Sequence, residues 1–159
     1  MSAIVIREAA PADVPAVVGI VRGVLGEFEI PVEESAVADE LGKVVAPEAG
    51  VDGGRLWVLV DRDAVVGCAA ITPVRDGICE LKRMYLLPER RGEGLGRKAL
   101  EHALAYARER GFERVELETH TRMEKARAMY HRAGFQKQCS AMRNCGCDQS
   151  MYLDLQAPR

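Results

Sequence analysis

The chain has 159 residues, 48% of them apolar and 29% charged, and a formal net charge of −2. That length suits one ordinary domain over residues 1–159, with room for a sizeable core. The near-neutral charge and the aromatic content of only 5% argue against a nucleic-acid platform and an anionic membrane surface, and no apolar run approaches the roughly 20 residues of a membrane span.

The opening MSAIVIREAA has no basic segment followed by an apolar one, so no secretory leader is expected. With five cysteines, an odd number, reduced thiols in the cytoplasm are the expectation. Ile4 and Ile6 alternate with polar neighbours and predict a first strand. In PADVPAVVGIVRGVLGEF, Val14, Val17, Val18, Val21 and Val24 or Leu25 recur at helical spacing, with Asp13 as N-cap. VEESAVADELGKVV predicts a second helix, which the turn-rich APEAGVDGG ends. RLWVLVD, AVVGCAAITPV and ICELKRMYLL are separated only by short turns, at Arg62–Asp63 and Asp76–Gly77, and predict an antiparallel meander. Leu100, Ala103, Leu104 and Ala107 mark one face of a third helix, stopped by Gly111. RVELET is a half-buried strand. Thr121 and Glu124 form a capping box for MEKARAMYHRA, which Gly134 ends, and SMYLDL is the last strand. The order describes one mixed α/β sheet in which ICELKRMYLL and RVELET lie parallel, joined by a right-handed crossover.

Between that third meander strand and the following helix lies RRGEGLGRK, with Gly92, Gly94 and Gly96 at alternate positions. A glycine-rich turn opening a helix suits a phosphate: the first helical N–H groups are free, the helix end carries partial positive charge, and missing side chains permit close approach. Arg90, Arg91, Arg97 and Lys98 add charge nearby. The plainer alternative is a tight strand-to-helix turn with solvated arginines. A Walker loop would need Ser or Thr where Ala99 stands. A dinucleotide loop would need glycine where Arg97 stands, although Glu118, 22 residues past Gly96, could serve as a ribose-binding acid.

ELKRMYLLPERRGEGLG resembles the acyl-CoA signature of the GNAT superfamily of N-acetyltransferases, whose core is Arg/Gln-x-x-Gly-x-Gly/Ala, here Arg91, Gly94 and Gly96. ARAMYHRAGF, from Ala126 to Phe135, is similar to a later element of the same superfamily. The resemblance covers nearly the whole chain. It implies a mostly antiparallel sheet with a splayed parallel strand pair and flanking helices. Acetyl-CoA would lie in the splay as co-substrate, with no metal. The backbone of Met84, Tyr85 and Leu86 would pair with the pantetheine arm, and the N–H groups of Arg91, Gly92, Glu93, Gly94, Leu95, Gly96 and Arg97 would take the pyrophosphate. The implied reaction is direct attack of a small-molecule or amino-acid-like primary amine on the thioester in a ternary complex. Tyr130 would be the general acid facing the sulfur. Glu80, 11 residues before Arg91, would be the base; its alternative is a solvent-facing strand position paired with Lys82. Met123 stands where many members carry an asparagine that contacts the cofactor.

Cys145 and Cys147 supply only two of the four ligands of a zinc site, so a loop before the last strand is expected. His102 and His131 read as surface residues, and His120, at a strand end, as an assisting group. Glu27, Glu29, Glu33 and Glu34, in GEFEIPVEES, could attract a cationic amine or simply be solvated. Two further readings stay open: a non-catalytic acyl-CoA-binding or regulatory domain, and a nucleotide-binding domain with a degenerate loop. The partner expected is the amine acceptor, with a homodimer allowed and neither nucleic acid nor membrane.

Overall fold

The computed structural model describes residues 3–46, 53–139 and 147–155. Strands β1 (Ile4–Glu8), β2 (Arg55–Asp61), β3 (Ala64–Arg75), β4 (Ile78–Leu86), β5 (Arg114–Thr119), β6 (Gln136–Gln138) and β7 (Gln149–Asp154) form one sheet in the order β1-β2-β3-β4-β5-β7-β6. Helices α1 (Val14–Glu27), α2 (Glu34–Val45), α3 (Leu95–Glu109) and α4 (Glu124–Arg132) flank it. Every neighbouring pair is antiparallel except β4 and β5, which are parallel and bridged by α3. This is the mixed, mostly antiparallel α/β architecture that the strand and helix order predicts.

β2 and β3 are buried on both faces, which is why their sequences are nearly continuously apolar rather than alternating. Leu56, Val58, Val60, Cys68 and Ala70 pack against α1 and α2. Trp57, Leu59, Ile71 and Leu81 turn the other way, toward Leu100 and Ala103 of α3 and Tyr130 of α4.

The parallel ladder is short. Ile78–Leu81 pair with Arg114–Leu117, and β4 then runs on to Leu86 paired only with β3. The strands part at an irregularity in β4. Lys82 faces Ala70 and Tyr85 faces Cys68, so two residues of β4 stand opposite Ala69 alone. One of them, Arg83, has φ 53. An extra residue in one strand, with left-handed backbone, is a bulge that bends its strand away.

Two helix ends fix the registers that matter. Gly111 (φ 83) and Gly134 (φ 102) follow α3 and α4. The Phe112 N–H donates to the Ala107 carbonyl and the Phe135 N–H to the Tyr130 carbonyl, each at 3.0 Å. Both are Schellman caps, and in the second the buried Phe135 ring packs on Tyr130, 5.8 Å between centroids.

The helix starts differ from the sequence reading. Asp13 does not cap α1 with its side chain; its carboxylate takes the Arg7 guanidinium at 2.8 and 3.1 Å and the Ala10 N–H at 2.7 Å. Thr121 and Glu124 form no capping box. Asp148 takes both the Thr121 N–H and its hydroxyl at 2.9 Å, so α4 starts later, with Met123 at its N-cap. β6 is an addition: three polar residues carry too little pattern to read as a strand.

Candidate active site

Where β4 and β5 part, a cleft of about 1380 Å³ runs from the glycine turn to the start of α4. At one end, Gly92 (φ 84) and Gly94 (φ 80) hold the left-handed backbone that carries the chain into α3. A Cβ built on either would meet nothing within 4 Å, so the space before them is open. The first helical bond runs from the Lys98 N–H to the Gly94 carbonyl, leaving the N–H groups of Leu95, Gly96 and Arg97 without an intrahelical acceptor. Gly96 has a different role. Its Cβ would come within 3.4 Å of the Met129 sulfur, so it permits α3 to approach α4 closely. This end presents open space, free donors and a helix N-terminus, which together suit a pyrophosphate.

The arginines divide. Arg91 and Arg97 line the cleft. Arg90 does not; it is held by Asp61 at 2.6 Å and Glu93 at 3.1 Å, tying the turn to the end of β2. Arg91 donates to Glu27 at 2.8 Å and to the Leu86 carbonyl at 3.1 Å, and Arg122 donates to the Phe28 carbonyl at 2.7 Å. The end of α1 is thereby tied to both banks of the cleft.

Further along lie Met84, Tyr85, Leu86, Tyr130 and Cys147. Tyr130 is 7% exposed, and burial pushes its phenol above the ordinary value, so it is protonated at neutral pH. Burial, and then the Glu118 carboxylate, push the Cys147 thiol up to about 11, which leaves it a poor nucleophile. Opposite them α2 contributes Glu40. Burial pushes its carboxyl upward, but Lys82 and Arg83 together hold it below its ordinary value. The Arg83 side chain meets Glu40 at 3.0 Å, and Lys82 donates to the other carboxylate oxygen.

The family model described as "Acetyltransferase (GNAT) family" matches residues 21–135. The chain belongs to this family. Uncharacterized N-acetyltransferase YjgM of Escherichia coli K12 is 34% identical over 140 residues, covering 83% of this chain and 81% of that protein. N-acetyltransferase family 8 member 3 of Rattus norvegicus is 37% identical over 86 residues, 51% of this chain and 38% of that longer protein. A GNAT-family acetyltransferase from Staphylococcus aureus superposes with a TM-score of 0.87 at 19% identity, covering 97% of this chain and 100% of that one. The yncA protein of Salmonella typhimurium, solved with acetyl-CoA, superposes with a TM-score of 0.77 at 21% identity, covering 99% and 97%. At these identities the two structures speak for the fold.

Within this GNAT fold, Tyr130, Met84, Tyr85, Leu86, Arg91, Gly92, Gly94, Leu95, Gly96 and Arg97 all line the cleft. Glu93 and Glu80 do not. Glu93 turns to Arg90. Glu80 is 4% exposed, facing Thr72 and Glu116 across the ladders, so it is not the solvent-facing position that its strand pattern allows. Lys82 reaches α2 instead of pairing along its own strand. Of the four glutamates around α1 and α2, only Glu33 lines the cleft; Glu27 and Glu34 bind Arg91 and Arg22, and Glu29 lies 4.0 Å from Arg122. His102 and His131 are exposed, His102 lying edge-on to Trp57. His120 lines the cleft, with Nε2 3.6 Å from Asp148. Met123 also lines it, where its thioether offers no strong polar contact. Cys147 lies in a loop before β7, and Cys145 lies outside the described residues. Sequence reasoning missed Glu40 as a cleft residue and weighed Glu118 only as a ribose-binding acid. Glu40 has no local signal because its partners are more than 40 positions away in the chain.

Proposed function

We propose that the chain transfers an acetyl group from acetyl-CoA to the primary amine of a small-molecule or amino-acid-like acceptor, by direct attack in a ternary complex. One observation carries this reading. The gap between β4 and β5 opens directly onto the left-handed glycine turn and the free N–H groups of α3. A single extended ligand with a pyrophosphate at one end and a thioester at the other fits that continuity.

In this reading the backbone from Met84 to Leu86, unpaired on its β5 side, binds the pantetheine arm as an added strand would. The N–H groups from Arg91 to Arg97, that of Glu93 included, hold the pyrophosphate. A backbone N–H just past the Arg83 bulge takes the developing oxyanion. Tyr130, kept protonated by burial, donates to the departing thiolate. The acceptor enters between α1 and α2, where Phe28, Ile30 and Val32 offer apolar cover and Glu33 a negative charge for the amine. Cytoplasmic action, proposed from the odd number of cysteines, is consistent with this chemistry.

The amine must lose a proton. Glu80 is the proposed base, reached through water. Glu118 is the second reading, because it lines the cleft and Glu80 does not. Thiol release across a panel of amines tests the function itself. Turnover supports it, whereas CoA binding with no turnover on any amine would favour a non-catalytic acyl-CoA-binding domain. With an active amine in hand, Glu80→Gln is expected to lower kcat roughly 100-fold at neutral pH, recovering as pH rises and free amine accumulates. If Glu118→Gln gives that profile and Glu80→Gln does not, the base is Glu118.

A further inference from the structure

We propose that Glu40 is a positioning residue for acyl transfer: it clamps the left-handed bulge at Arg83 that parts β4 from β5. The inference rests on the acetyltransferase reading, since the backbone past that bulge is where the acyl carbonyl is proposed to lie.

Arg83 is one of three non-glycine residues with positive φ among the described residues, at φ 53. Left-handed backbone is disfavoured for arginine, unlike glycine or asparagine, so the surroundings must hold it. Two elements outside β4 do so. From α2, one oxygen of Glu40 accepts the Arg83 Nε–H at 3.0 Å and lies 3.0 Å from its Nη2, while the other accepts Lys82. A single carboxylate thus holds the bulged residue and the last regular residue before it. From β3, the Cys68 thiol donates to the Arg83 carbonyl at 3.0 Å, fixing the peptide plane on the far side. The three charged side chains are largely shielded, 19% to 27% exposed, so the clamp is not a loose surface pair. Because Glu40 also lines the cleft beside Ala36 and Val37, it joins the acceptor wall directly to the strand that bears the proposed oxyanion donor.

The test exploits glycine, which takes left-handed backbone without help. Steady-state kinetics of the full chain are measured for Glu40→Ala with Arg83 present and in an Arg83→Gly background. Beside Arg83, Glu40→Ala is expected to lower kcat about tenfold and to change the acetyl-CoA KM less than about twofold. In the Arg83→Gly background, whatever its own rate, the same substitution should cost less than about twofold. An undiminished loss in that background, or wild-type turnover by Glu40→Ala, overturns the proposal. If Glu40→Ala fails to fold, Glu40→Gln is read in both backgrounds in the same way. Amide exchange over residues 82–86 needs no acceptor. Glu40→Ala should accelerate it about tenfold or more, and unchanged exchange overturns the clamp. A wild-type chain that turns over no amine, yet shows Glu40-dependent exchange, would sink the acetyltransferase reading alone.

Discussion

Tyr130 owes its place to the end of its helix more than to the start. The cap at Gly134 puts Phe135 against the phenol ring and locks the last turn. Tyr130→Phe keeps the ring, so melting temperature and CoA affinity should hold while kcat falls about 10- to 100-fold. Unchanged turnover with lowered stability would make it a core residue. That register was legible in the sequence because Gly-Phe after a helical pattern is a local signal. The place of Gly94 in a turn that opens a helix was also legible, but its left-handed backbone was not. With φ 80, a valine there would strain the turn itself, so a variant that tolerates left-handed backbone is the cleaner probe. Gly94→Asn fills the open space before the loop. It should weaken CoA at least tenfold, about 1.4 kcal/mol, with little change in the melting temperature of the ligand-free chain. Thermal shifts with and without CoA measure both.

At the scale of elements, Val37 and Leu41 hold α2 to the sheet through the core, and charge ties it to β4. Glu40 sits below its ordinary value of 4.5 in the fold, burial opposing the shift and Lys82 and Arg83 outweighing it. A depressed carboxylate contributes stability that is complete above its unfolded value and lost as pH falls through the folded one. The wild-type chain should therefore lose stability from about pH 5 downward more steeply than Glu40→Gln, which should be the less stable of the two at pH 7. Equal slopes in acid denaturation would remove this contribution. The strands and helices themselves were readable from apolar period and turn residues. β6 was not, because its residues are polar and its pairing to β7 comes from register alone. The α2–β4 ion pairs were not readable either, because nothing near Glu40 in the chain names a partner.

The whole molecule divides at the seam between β4 and β5. On one side lie β1 to β4, joined in sequence by antiparallel neighbours; on the other, β5, β7 and β6. Glycine turn, splayed strand and Tyr130 could each be found by motif, because each motif is contiguous. The cleft they share was expected only through the family resemblance, since no local pattern marks the absence of pairing beyond Leu81 and Leu117. The seam also bears on how the chain reaches its native state. Hairpins from β2 to β4 close loops of only a few residues, whereas joining β4 to β5 first requires the whole of α3 to be laid across the sheet. The meander should therefore form the folding nucleus and the parallel ladder should close late. Truncations of core side chains such as Leu59→Ala or Ile71→Ala should slow refolding, while Leu117→Ala should mainly speed unfolding. On that order of events, the cleft is the last thing the chain acquires as it folds and the first it loses as it unfolds.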